Sequence, residues 1–221
     1  MPRPLVRACR SLLVAALAAP WAACIPYTVG STAQTVPQGE VRQATTMYWI
    51  PNAARLGEDR AATLPGLDGE ARWGLSGSTD VGLRVTSLSG MVVSLKHRLR
   101  GGAHPDSAAV SIMPGLGIVN GGEHAHVELS LVASGRTRGR VTPYGGLRVM
   151  QVAPITEGAV HDSPTAGGFL GLRLGSDELG VAPEVGVFYD RSALGMRDRR
   201  VIVVPSITVR GDAFRRLLRP W

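Results

Sequence analysis

The chain has 221 residues and a formal charge of +7, of which Arg3, Arg7 and Arg10 supply three, leaving +4. The remaining basic residues are dispersed, apart from Arg197-Asp198-Arg199-Arg200 and Arg215-Arg216, which argues against a nucleic-acid partner. Beyond the first segment no apolar run approaches the roughly 18 residues that a membrane-spanning helix requires.

Residues 1–23 read as a secretory signal peptide. Three arginines precede a short apolar core from Leu12 to Ala19, and small residues follow at Ala22 and Ala23. Trp21-Ala22-Ala23-Cys24 resembles the lipobox of bacterial lipoproteins, with Trp21 where that family usually has Leu. The resemblance implies cleavage after Ala23, a lipid attached to Cys24, and membrane lipid as a partner. Ordinary cleavage near Ala23 would instead leave a free thiol. Either way Cys9 is removed with the signal, so the mature chain cannot close an internal disulfide.

Residues 24–40 are polar, contain Pro, Gly, Ser and Thr, and follow no period, so they are expected to form a flexible tether. From residue 41 the pattern changes to alternation. Val81, Leu83 and Val85 alternate with Asp80, Gly82 and Arg84. Ala125, Val127, Leu129 and Leu131 alternate with His124, His126, Glu128 and Ser130. Val181, Val185 and Val187 oppose Glu184 and Gly186. A period of two places each set on one face of a strand. Turn-like spacers such as Ser76-Gly77-Ser78, Asn120-Gly121-Gly122 and Gly175-Ser176-Asp177 separate the runs.

These signals predict about ten strands, at 41–50, 69–75, 79–87, 90–99, 107–117, 124–134, 140–153, 165–175, 180–190 and 201–213. Merging a pair and dropping the first would leave eight. The fold class is therefore all-β: an antiparallel up-and-down barrel of 8–10 strands, with a barrel domain at 41–214 and a tail at 215–221. An even count keeps both chain ends on one side. The longer connections 51–68, 154–164 and 191–200 then fall on the other side. Pro114, Pro143, Pro183 and Pro205 lie inside the runs, where missing ladder donors call for strand starts or bulges.

The alternation allows two packings. In one, the apolar face meets lipid and the charges are enclosed. In the other, a soluble lipid-anchored calyx points its apolar face inward and binds a hydrophobic ligand. Strands of nine to eleven residues suit a tilted bilayer span. Aromatics make up only 5% of the chain, too few to fill a soluble interior in the usual way. Glycines on the polar face (Gly82, Gly115, Gly146, Gly171, Gly186) would relieve crowding in a narrow lumen. In these respects residues 69–214 resemble small bacterial outer-membrane barrels of the OmpA and OmpX kind. The resemblance implies an outer-membrane location and a non-enzymatic structural or surface-interaction role, with a narrow or closed lumen. Trp49, Trp73, Tyr48, Tyr189, Phe188 and Phe214 are the candidates for its aromatic girdles.

Little catalytic chemistry is legible. His124, His126 and Glu128 share one strand face, about 7 Å apart in steps of two, and are the residue types that ligate zinc. Read as polar lumen residues they need no metal, and none is expected, nor any other cofactor. His161-Asp162-Ser163 has the residue types of a hydrolytic site, and its His-x-Ser spacing resembles outer-membrane lipid A deacylases. It sits in a loop beside Pro164, so no catalytic residue is assigned.

Overall fold

A computed structural model of the chain describes residues 26–211, save 56–60, 88, 103, 105, 156–163, 177–178 and 190–200. The signal peptide, Cys24, His161-Asp162-Ser163, Phe214 and the 215–221 tail lie outside the described residues.

The alternating segments form ten strands: β1 (Val41–Arg55), β2 (Ala61–Ser76), β3 (Thr79–Thr86), β4 (Gly90–Gly101), β5 (Ala109–Val119), β6 (His124–Ser134), β7 (Val141–Pro154), β8 (Thr165–Gly175), β9 (Gly180–Tyr189) and β10 (Val201–Arg210). Each pairs antiparallel with its sequence neighbours, and β1 pairs with β10 to close the barrel. Closure leaves no unpaired sheet edge. The end at which β1 starts and β10 finishes is called the near end; the opposite end is the far end.

The first two strands are longer than expected. Residues 51–55 and 61–68 belong to β1 and β2 rather than to a long connection, and Pro65 pairs in register with Trp49. β7 ends and β8 begins at the far end, as β9 ends and β10 begins there; residues 156–163 and 190–200 of the expected longer connections lie outside the described residues.

The internal prolines mark neither strand starts nor bulges. Pro114 opposes Leu129, Pro143 opposes Leu172 and Pro205 opposes Val185 within continuous ladders. The missing donor shows instead as a skipped step towards one neighbour. The β4–β5 ladder passes from Ser94↔Gly115 to His97↔Ile112, and the β8–β9 ladder from Gly171↔Glu184 to Leu174↔Val181. The register is the same on either side of both gaps.

The two faces divide by parity. Among the described side chains, the outward positions from Val41 to Val209 carry one charged residue, Arg100, which pairs with Val110 beyond a bulge at the near-end tip of β4. They present Met47, Leu67, Val93, Leu116, Leu129, Leu147, Leu170, Val187 and Val203 to the surroundings. Trp49 and Tyr189 stand outward toward the far end and Trp73 toward the near end, whereas Tyr48 and Phe188 point into the lumen. Trp73 lies opposite Val41, eight residues from Trp49 along β1. That is about 27 Å of strand, or about 20 Å across a band once the strand is tilted as barrel strands are.

Inward glycines face the large inward residues of neighbouring strands. Gly82 is opposite Arg72, Gly115 opposite Glu128 and Gly171 opposite Tyr144. A Cβ at these three positions would come within 2.4 to 2.8 Å of those side chains.

Candidate functional site

The lumen is the site with the most chemistry, and it is occupied by the protein itself. Residues 26–36, expected to form a tether, run up the inside of the barrel. Pro26 to Gln34 are all buried, as is Val36. Small side chains at Thr28, Gly30, Ser31, Thr32 and Ala33 let an extended chain fit a narrow bore. This corrects the tether reading for that stretch; only Pro37 to Glu40 are exposed.

The segment enters at the near end through a tight turn. Glu40 N–H donates to Pro37 O at 3.0 Å, and Gly39 sits at φ +78°, which a glycine adopts without steric cost. Gly39 N–H then donates to Gly74 O on β2, and Gly74 N–H donates to Glu40 O.

Inside, the segment has no strand partner, so its backbone groups need other ones. Charged side chains of the wall supply them. Both oxygens of Glu184 accept, one from Val29 N–H and one from Gly30 N–H, each at 2.9 Å. Asp80 Oδ2 accepts from Val36 N–H at 2.8 Å. Arg84 and Arg148 both donate to Thr28 O, at 2.9 and 2.6 Å. Arg210 donates to Gly30 O at 2.6 Å. Lys96 Nζ donates to Ser31 Oγ at 2.6 Å and lies 3.1 and 3.2 Å from the carbonyls of Thr32 and Gln34. Gly30 is left-handed at φ +57°, and a Cβ there would lie 2.2 Å from Thr208 Oγ1.

The same side chains pair with one another around the wall. Arg72 bridges Asp80 and Glu70, with Nε 2.7 Å from Asp80 Oδ1 and Nη1 2.8 Å from Glu70 Oε1. Arg148 pairs with Glu128, which also lies 2.8 Å from His126 Nε2. Buried charges persist when they have partners of this kind.

Two apolar layers complete the filling. Toward the far end, Tyr27 packs with Tyr48, Val119, Met150, Val152, Phe188 and Ile202, its ring centroid 5.5 Å from that of Phe188. Nearer the other end, Val29 and Ala33 pack with Met113, Val132, Tyr144, Phe169 and Ala182. A residual pocket lies at the near end beside Pro37, Arg42, Glu70 and Arg72.

The calyx alternative required an apolar cavity with charges in solvent. The interior instead holds charges and the chain's own segment, and Val127, Leu129 and Leu131 point outward.

His124, His126 and Glu128 do share the inward face. His126 contacts Glu128, whereas His124 Nδ1 lies 3.4 Å from the Asn120 amide nitrogen. With Glu128 committed to Arg148, the trio forms part of an ion-pair network. No metal-ligating group of three or more is present among the described residues.

The residues missed from sequence are those of the plug. One signal marked them: between Cys24 and Glu40 there is no charged residue, which is unusual for a linker exposed to water.

No protein-family model matches the chain, and no curated protein does. Among solved structures it is similar to the outer membrane protein OprG from Pseudomonas aeruginosa. Identity there is 15% and the TM-score 0.30, over 82% of this chain and 97% of that one. It is also similar to Ail, the attachment invasion locus protein of Yersinia pestis. Identity is 12% and the TM-score 0.26, over 79% of this chain and 97% of that one. Both scores are low, and the barrel's role is read from its own two faces.

Proposed function

We propose that the protein is a non-enzymatic bacterial outer-membrane barrel with a structural or surface-interaction role, its lumen closed by residues 26–36. The observation that carries this reading is the outward face, whose described side chains are apolar or uncharged except for Arg100 at the near-end tip of β4. An aqueous protein would not leave a continuous apolar belt of this size uncovered. The separation of Trp49 and Trp73 fits the roughly 25 Å apolar band of membrane barrels, whose lipid–water boundaries favour such rings. A lipid on Cys24 belongs to the same reading and adds a second hold on the membrane.

The test is fractionation of envelopes from cells producing the full chain. The protein is expected to stay in the membrane after carbonate washing and to migrate differently on detergent gels before and after boiling. Release by carbonate, together with unchanged migration, would overturn the reading. Mass measurement of the N-terminal peptide tests the lipid separately, by an increase equal to the attached acyl groups.

A further inference from the structure

The contacts of residues 26–38 shift along the barrel in strict order. Gln38 bridges to Gly74 at the near end, and Val36 bonds Asp80, the second residue of β3. Val29 and Gly30 bond Glu184 in mid-strand, while Tyr27 packs on Phe188, the last residue but one of β9. On β7 the same progression runs from Tyr144 against the Val29 layer, through Arg148 on Thr28, to Met150 and Val152 against Tyr27. The segment thus spans the bore from near end to far end, and it does so antiparallel to β1.

We propose that the chain threads its own barrel and presents the residues preceding Pro26 at the far end, on the same side as the β7–β8 and β9–β10 connections. The assignment to a side of the membrane rests on the membrane-barrel reading; the threading itself does not. Cys24 is three residues from Tyr27, a span of at most about 11 Å when extended. It is therefore held close to the far-end layer and away from the end where β1 begins. An acyl group on Cys24 would enter the leaflet on the far side.

The test uses three versions of the full chain, each with one epitope: between Cys24 and Ile25, in the β7–β8 connection after Ile155, or in the β2–β3 turn after Gly77. Antibody binding is compared on intact cells and after the outer membrane is permeabilised. The first two epitopes are expected to behave alike and opposite to the third. An N-terminal epitope that behaves like the β2–β3 turn overturns the proposal.

If the N-terminal insertion prevents folding, the double variant Tyr27→Cys with Phe188→Cys decides, with each single variant as control. Oxidation should link the pair in the folded barrel, giving a mobility shift absent from both controls. No link in a heat-modifiable barrel overturns the threading. Failure of the membrane reading shows separately, as carbonate release of all versions, and leaves the cysteine result interpretable.

Discussion

Glu184 closes both of its carboxylate oxygens on two successive backbone amides, those of Val29 and Gly30, at 2.9 Å each. A side chain of the wall thereby takes the place of a neighbouring strand for the segment in the bore. Glu184→Ala leaves two buried donors without acceptors, at a cost of about 1–3 kcal/mol for each group. The expected outcome is a destabilisation of about 3 kcal/mol in urea unfolding from lipid vesicles. Glu184→Gln keeps one acceptor and should fall between the variant and wild type. Equal stability of all three would show that Glu184 does not hold the segment.

The filled lumen predicts an electrically silent barrel. In planar bilayers the wild-type protein should show no steady conductance. Deletion of residues 26–36 removes the backbone that Arg84, Lys96, Arg148 and Glu184 hold, and it should give discrete openings. A heat-modifiable deletion variant that stays silent would mean that the wall side chains close the bore without the segment.

The outward face predicts a depth-dependent penalty for charge. Leu129 stands at the middle of β6, facing outward. Leu129→Arg should cost about 2–4 kcal/mol when folding into bilayers is measured, whereas Val201→Arg, at the far-end start of β10, should cost no more than about 1 kcal/mol. Equal, small effects at both positions would remove the lipid from the argument.

The pairing of glycines with large inward side chains can be tested at Gly171. A Cβ there would lie 2.4 Å from the Tyr144 ring, so Gly171→Ala should destabilise the barrel by about 1–3 kcal/mol. In a Tyr144→Ala background the same change should cost almost nothing. A full penalty in both backgrounds would place the conflict in the backbone instead of the ring.

Much of this fold was legible because a half-apolar strand leaves a period of two, and β3 to β10 follow it almost residue by residue. The ends of β1 and β2 were not legible. Pro65 reads as a loop residue, yet in an antiparallel ladder a residue's N–H faces only one neighbour, so a proline can sit within it at the cost of one bond, whereas Pro51 falls where the β1–β2 register shifts, between Ile50 and Ala54. The plug was illegible for a different reason. A buried chain held by wall side chains has no face to bury and hence no alternation. Its polar Thr, Ser and Gln residues mimic a solvated linker, and only the absence of charge before Glu40 set it apart. The inward charges were visible in sequence from the parity of their strands. The recipients of Lys96, Arg84 and Glu184 in the bore were not.

The occupied bore sets an order of events for assembly. A cylinder sealed edge to edge admits a bulky tyrosine and its flanking chain only with difficulty. The sheet is therefore best completed as a wrap, with the leading segment laid along the growing wall before the last edges meet. The β1–β10 seam suits that final step, because its five register pairs among the described residues are fewer than those of any other neighbouring pair. The N-terminal stretch then acts as a mandrel around which the protein rolls itself shut.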